Sequence, residues 1–394
     1  MKKVLILDGD AAHAVAIAEA LSANGYEVGA LCPDKLSYGF HAGIIKHRFF
    51  CPVSSHDESA YIDFLTEFLK NNKFDILIPT SDETAMIMSK YRAQLSPLAA
   101  VLMPDFDTFM KAYDKNRLMA LCEKKGFPLP KTIDLNAVRN LGEEAVTALK
   151  EFPYPALIKP NLTSGARGMT RVDSYEEFLD KYPKIREEFG ECHLQQFIPP
   201  GGRQLKVQAF RSIHDANDGA KVFTTAIWKQ RFYPVKGGSS CCNITVSEPK
   251  YEEICSRVLQ EIGWEGFADF DLIENPATGE FLIMEINPRL PACIRSVFKS
   301  GVDYATMIAD ASLGLPTKDY VYSPGKSLRH LGFDVLWFLK SPERWKAKPS
   351  WFKFFGKDLY YQDWVKGNFP AFLFGTIGNI KKILNPEFRK AKRI

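Results

Sequence analysis

The chain has 394 residues, 46% hydrophobic and 25% charged, which suits a folded protein of two or three domains with a substantial core. The apolar run Val4-Leu5-Ile6-Leu7 is too short for a signal peptide and is stopped by Asp8 and Asp10; no stretch approaches the roughly 20 apolar residues of a spanning helix. The eight cysteines show neither C-x-x-C nor zinc-like spacing, so reduced thiols in a cytosol are expected. The net charge of +4 conceals an asymmetry: residues 320–394 carry 15 Lys+Arg against 5 Asp+Glu, and the first 319 carry 36 against 42.

Residues 2–104 alternate short apolar runs (Lys2–Leu7, Glu27–Leu31, Asp75–Pro79 and Ala100–Met103) with helical patterns such as Ile62, Leu65, Phe68 and Leu69. This predicts a βαβ layout with a parallel sheet. The loop Asp8-Gly9-Asp10-Ala11-Ala12-His13 lacks G-x-G-x-x-G and puts acids where a pyrophosphate would sit, so nicotinamide binding is excluded here. His13 reads as a helix-start or surface histidine. Thr80-Ser81-Asp82-Glu83 reads as the cap of the next helix, with a substrate-cleft role as the alternative.

Two helices are expected between Asp105 and Gly126, the second opening at Asp114-Lys115, and Phe127-Pro128-Leu129-Pro130 ends them. A smaller unit follows. Its strand Ala156–Pro160 has Lys159 interrupting an apolar run, and a half-buried lysine calls for an anionic partner. The next residues, Asn161 to Met169, form a loop of small residues, including Thr163, Ser164, Gly165 and Gly168, whose backbone N–H groups suit phosphate oxygens. A strand running from His193 through Gln195, Gln196, Phe197 and Ile198 ends in a Pro/Gly bend. Strands at Gln204–Arg211 and Lys221–Trp228 follow, then Lys229–Ser240, which reads as a second phosphate-facing loop or a basic surface hairpin. Pro249–Ile262 and a segment around Val302–Leu313 read as helices.

Between those helices lies the most informative stretch, Gly266–Pro291. The alternation in Phe267–Ile273 places Asp269 and Asp271 on one face, Asn275–Gly279 supplies a turn, and the returning strand carries Glu285 and Asn287 on a shared face. Such an oxygen-only cluster suits Mg²⁺ that keeps some waters and holds substrate phosphates.

Lys115, then Lys159, a glycine loop, a hinge strand ending Phe-Ile-Pro-Pro-Gly, and finally Asp271 with Glu285-Ile-Asn287-Pro-Arg289 form an ordered set. This order resembles the ATP-grasp superfamily, within it carboxylate–amine ligases similar to carbamoyl-phosphate synthase large-chain domains and D-aspartate ligase. The resemblance spans about residues 1–316. It implies an N-terminal parallel-sheet α/β domain over 1–110 and a two-lobed α+β ATP-grasp fold over 111–316, with its small lobe at about 128–194. A basic aromatic extension, 317–394, follows. It further implies that Lys115 and Lys159 hold ATP phosphates under the loop Thr163–Met169, that Gln195, Gln196, Phe197 and Ile198 line the adenine pocket, and that Gln204 lies near the ribose. Asp271, Glu285 and Asn287 would bind one or two Mg²⁺ (or Mn²⁺), Arg289 would stabilise an acyl phosphate, and Arg231 would meet the γ-phosphate or a substrate carboxylate. Gln196 stands where the family usually has glutamate, and Asp271 is likewise a shorter substitute for glutamate.

The implied activity is ADP-forming amide synthesis from a small-molecule carboxylate and an amine. Bicarbonate activation and a catalytically silent ATP-binding subunit are the alternatives. A cytoplasmic homo-oligomer is expected. The tail holds 17 of the 50 aromatic residues and four of the six tryptophans, interleaved with Lys and Arg. That mixture suits an anionic membrane surface and, through it, a lipid-linked or envelope-precursor substrate; covering of the core or a dimer interface is the alternative, and nucleic acid is the least favoured partner.

Overall fold

The computed structural model describes residues 1–54, 57–138, 143–163, 165, 167–213, 220–235, 238–364 and 367–385. Its N-terminal sheet contains β1 (Lys3–Ile6), β2 (Glu27–Cys32), β3 (His47–Phe50) and β4 (Ile76–Ile78), in the order β3-β2-β1-β4 and parallel throughout. The runs Val4-Leu5-Ile6 and Ile76-Leu77-Ile78 are almost entirely buried, as strands covered on both faces require. The expected strand at Ala100–Met103 is reduced to a bridge between Ala100 and Ile76, because Pro104 follows and Asp105 already caps the helix Phe106–Tyr113. β3 was not expected. It is an edge strand whose inward Phe49 packs on Phe68 at 4.8 Å while Arg48 and Phe50 are exposed, so it lacks the apolar run of its neighbours.

The small lobe is an antiparallel sheet of β5 (Thr132–Asp134), β6 (Ala156–Pro160), β7 (Thr170–Val172) and β8 (Cys192–Gln196), in the order β5-β8-β6-β7. It buries its own apolar set, including Phe152, Ile158, Val172, Phe178 and Leu194. The large sheet is built from β9 (Gln204–Ser212), β10 (Lys221–Tyr233), β11 (Ser239–Val246), β12 (Gly266–Glu274), β13 (Phe281–Asn287), β14 (Ser327–Arg329) and β15 (Leu359–Tyr361). Their order is β13-β12-β9-β10-β11-β14-β15, antiparallel except at β14/β15. This sheet shares its core with the N-terminal domain: Leu5, Leu7 and Leu77 belong to one apolar cluster with Val207, Phe270 and Ile283. The cleft therefore lies between a fused body and a small lobe with a separate core.

Of the two readings of residues 229–240, the structure takes the hairpin rather than the phosphate-facing loop: β10 continues through Tyr233 with a bulge near Arg231 and pairs antiparallel with β11, which starts at Ser239. β14 and β15 come from the C-terminal extension and enlarge the same sheet, and the helix Leu331–Lys340 packs over β10 and β11. That helix brings in Asp334, which is 1% exposed and receives two guanidinium groups, Arg231 through Nε (2.7 Å) and Nη2 (2.9 Å) and Arg329 through Nε (2.6 Å). Arg231 also donates to the Pro349 carbonyl at 2.8 Å and lies 5.1 Å from the Trp337 ring. All of its charge is thus spent within the extension.

Removing one partner of a buried ion pair leaves an uncompensated charge, at a cost of ~3–5 kcal/mol. Asp334→Ala is therefore expected to lose about that much in urea unfolding, whereas Asp358→Ala, which breaks only the solvent-facing pair with Lys326, should leave the unfolding midpoint nearly unchanged.

Candidate functional site

The floor of the site is the antiparallel triplet β9-β12-β13. Register pairs Asp271 with Lys206 on one side and Glu285 on the other, and pairs Asp269 with Gln208 and Asn287. Period-two alternation therefore assembles one polar row across three strands of an otherwise apolar sheet. Asp269 is wholly buried and is met by Lys206 Nζ and by Gln208 Nε2 at 2.9 Å. Asp271 accepts from Lys206 Nζ (2.8 Å) and Asn287 Nδ2 (3.1 Å) at Oδ2, and its Oδ1 pairs with Lys229 Nζ at 2.7 Å. Burial alone would raise the Asp271 pKa, but Lys206 and then Lys229 overcome it and hold the carboxylate well below its usual range. Burial pushes Asp269 the other way, opposed by Lys206. Lys206 is held protonated against burial by Asp269 and then Asp271.

The roof comes from the small lobe and the helix before it. Asp114 caps the helix Lys115–Lys125, accepting from Asn116 N (2.9 Å) and Arg117 N (3.2 Å), so Lys115 stands at the first helical position. Its Nζ donates to the Thr163 carbonyl at 2.7 Å and lies 3.5 Å from Glu285 Oε2. One side chain thus links the glycine loop to the floor. Lys159 is buried on β6 and donates to Gln195 Oε1 at 3.0 Å. Burial, reinforced by Lys115 and opposed by Glu285 and Asp271, brings its pKa down to about 8. In the loop, Thr163 Oγ1 donates to the Arg167 carbonyl at 2.9 Å, and Gly165 (φ 63°) and Gly168 (φ 71°) adopt left-handed backbone that disfavours side chains. Ser164 lies outside the described residues.

The structure brings Lys115, Lys159, Thr163, Asp271, Glu285 and Asn287 to one place. Gln195 is fully buried, so its side chain positions Lys159 rather than lining a pocket. Gln196 and Phe197 spend their backbone N–H groups on the Lys131 and Pro155 carbonyls (2.8 and 3.1 Å), leaving neither N–H for a base. Ile198 follows, 9% exposed, and Gln204 opens β9 opposite Lys229 and Ile273. Arg231 is a correction: bound to Asp334, it is not available to meet a phosphate or substrate carboxylate. Arg289 pairs with Asp82 across the domain boundary at 2.9 Å, where burial is outweighed by Asp82 and Asp269 and the guanidinium pKa is raised. The Thr80–Glu83 segment is the helix cap expected of it, Ser81 accepting from Thr84 N at 3.1 Å, and its Asp82 pairs with Arg289. His13 is the second residue of the helix Ala12–Ala23, but it is buried rather than on the surface, and burial and then Arg289 lower its pKa to about 4.

Lys206, Gln208 and Lys229 are site residues missed in the sequence. The alternation of Gln204, Lys206 and Gln208 against Leu205, Val207 and Ala209 was the available signal. For a divalent cation the donors are of the right chemistry, two carboxylates and an amide oxygen, a number that suits Mg²⁺ completed by phosphate oxygens and water. Among the described residues no cluster of three acidic, His or Cys side chains exists that would hold the ion alone. Glu285 is the open donor, its side chain 35% exposed. Asp271 is engaged on both oxygens, by Lys229 at Oδ1 and by Lys206 and Asn287 at Oδ2.

The Lys159 shift has a signed consequence. Unfolded lysine keeps its proton to the ordinary 10.5 and the folded chain releases it near 8, so the unfolded state binds more protons between these values and stability rises with pH there. The native chain is expected to gain about 3 kcal/mol relative to Lys159→Met between pH 8 and 10.5, read by urea unfolding at the two ends of that window.

Residues 114–294 match the sequence model of the family described as carbamoyl-phosphate synthase L chain, ATP binding domain. Solved structures share the fold at low identity. The biotin carboxylase domain dimer of Hydrogenobacter thermophilus 2-oxoglutarate carboxylase, in complex with MgADP, ADP and bicarbonate, superposes with a TM-score of 0.68 at 17% identity, over 83% of this chain and 73% of that one. An L-amino acid ligase from Bacillus licheniformis gives 0.59 at 16%, over 79% and 74%. The N5-carboxyaminoimidazole ribonucleotide synthetase of Thermotoga maritima gives 0.55 at 17%, over 82% and 78%. The match to that family is confined to residues 114–294, the span that holds the two lobes, the hairpin and the paired lysines.

Proposed function

We propose that this chain is an ATP- and Mg²⁺-dependent ligase that activates a small-molecule carboxylate as an acyl phosphate and joins it to an amine. The observation that carries this reading is Lys115, whose ammonium touches both the glycine loop and Glu285, closing phosphate-binding groups onto an oxygen-donor floor. Phosphoryl transfer asks a protein mainly for positioning and for neutralisation of developing charge. Lys115 and Lys159 would supply cations to the β- and γ-phosphates, and loop N–H groups would approach the same oxygens. Mn²⁺ would serve in the same place as Mg²⁺. Held by Glu285, Asp271 and Asn287, the cation supplies neutralisation of phosphate charge. The substrate carboxylate attacks the γ-phosphorus, and the bond to the ADP oxygen breaks. The amine nitrogen then attacks the acyl carbon, inorganic phosphate leaves, and the nitrogen loses a proton. Arg289, steered by Asp82, would face the acyl phosphate, and loop closure would keep water from hydrolysing it.

Bicarbonate as the activated acid is the second reading, supported by the fold shared with a biotin carboxylase domain solved with bicarbonate. The reading as a whole carries a cytoplasmic homo-oligomer, attached peripherally to the inner face of the cell membrane through residues 320–394.

Phosphate release from Mg-ATP across pooled carboxylates and amines is the test. Release that requires one acid–amine pair is expected, and it should fall by about 100-fold or more in Lys159→Ala and in Glu285→Ala. Bicarbonate-dependent release without an organic acid selects the second reading, and ATP binding with no release from any pool rejects both in favour of a silent subunit.

A further inference from the structure

The helix Phe369–Leu384 has two faces of opposite character. Its inner face closes on the N-terminal domain without room for side chains: a Cβ on Gly375 would lie 2.4 Å from the Tyr38 ring, and one on Gly378 would lie 2.8 Å from the Leu36 carbonyl. Phe374 stacks on His41 at 4.0 Å, Asn379 donates to Tyr38 at 3.2 Å, and Lys382 pairs with Asp10 at 2.7 Å. The helix is therefore seated firmly on that domain.

Its outer face is an unbroken apolar stripe. Phe369, Leu373, Ile377, Ile380 and Leu384 are 41–68% exposed. At 100° per residue they fall within about 80° of one another along a helix of about 24 Å. No acid stands anywhere on the helix. Lys381 and Lys382 close it, and the remaining sequence adds Arg389, Lys390, Lys392 and Arg393 against one acid, Glu387. A second outcrop repeats the pairing of ring and cation: Trp345 (71% exposed) stacks on Phe352 (55%) at 5.8 Å, within a segment holding Arg344, Lys346 and Lys353.

We infer that this helix is an in-plane docking element for an anionic lipid surface, with its glycine face fastened to the protein and its apolar stripe immersed among headgroups. This deepens the membrane-side attachment proposed above and is independent of the ligase chemistry. Charge decides the occupant. Lys382 is already paired with Asp10, but two copies meeting stripe to stripe would bring Lys381 and the four cations that follow the helix in sequence together with one acid, Glu387, per chain to offset them. An anionic leaflet instead complements these cations while accepting the stripe. The contacts to Tyr38 and Asp10 would then hold the loop at the C-terminal end of β1 beside the membrane.

The test is cosedimentation of the full chain with phosphatidylglycerol/phosphatidylcholine vesicles and with pure phosphatidylcholine. Binding to the anionic vesicles alone is expected, weakening with salt and falling by about tenfold or more in Ile377→Glu/Ile380→Glu. The variant should keep the native circular dichroism and melting temperature, since both positions face outward. No binding of the intact chain to anionic vesicles overturns the inference, as does undiminished binding of a folded variant. Light scattering that shows a native dimer turned monomeric by the variant, without vesicle binding, assigns the stripe to a second copy instead.

Discussion

Two carboxylates on one strand, one buried and one half-buried, are the constraint around which this molecule is built. Asp269 and Asp271 sit on β12 in an otherwise apolar sheet, where an unpaired charge is not tolerated. Two lysines answer them: Lys206, on the adjacent strand β9, is shared by both acids, and Lys229 reaches Asp271 from β10, one strand further on. A one-residue slip of β9 against β12 would swing Lys206 to the other face and leave both acids bare, so the pairing selects the register. The same row extends to Glu285 and Asn287 on β13, so the structural requirement and the candidate cation site are one arrangement of side chains.

The rest of the site is organised by how charge is divided across the cleft. The floor holds its acids half neutralised, with Glu285 open, and the roof contributes Lys115 and Lys159. Lys159 is the sensitive member, because burial has already taken most of its preference for the proton. An arriving phosphate would restore that preference, since an anion beside a buried ammonium offsets its desolvation. The small lobe buries an apolar core of its own, while the N-terminal domain and the large sheet share theirs. The small lobe is thus packed independently of the body that carries the floor.

The C-terminal extension completes the large sheet and closes its far end. β14 hydrogen-bonds to β11, β15 follows, and Asp334 draws Arg231 and Arg329 into a buried triad beneath Trp337 and Trp351. Trp337, Trp351 and Phe354 cover this triad, and Tyr320, Tyr322 and Tyr360 pack against the core. Trp345, Phe352, Phe355, Trp364 and Phe369 are exposed, and it is the exposed part that needs an occupant.

Much of the fold was legible from local pattern. Period-two alternation located the hairpin and put Asp271, Glu285 and Asn287 on one face, because strand geometry makes sequence parity a statement about direction. Apolar runs separated by helical periodicity located the parallel sheet, and Lys159 was marked by a charge inside an apolar strand. What only the tertiary structure decided is which charges meet. Arg231 reads as a site residue until Asp334, 103 positions away, is brought against it. Lys206 reads as an ordinary strand lysine, and Lys229 as the start of a basic loop or hairpin, until β9 pairs with β12 on one side and β10 on the other. Residues 229–240 read as a loop or a basic hairpin until β10 and β11 pair antiparallel. Direction is encoded by neighbours along the chain, but partnership between buried charges depends on strand order, and strand order is settled by packing over the whole domain.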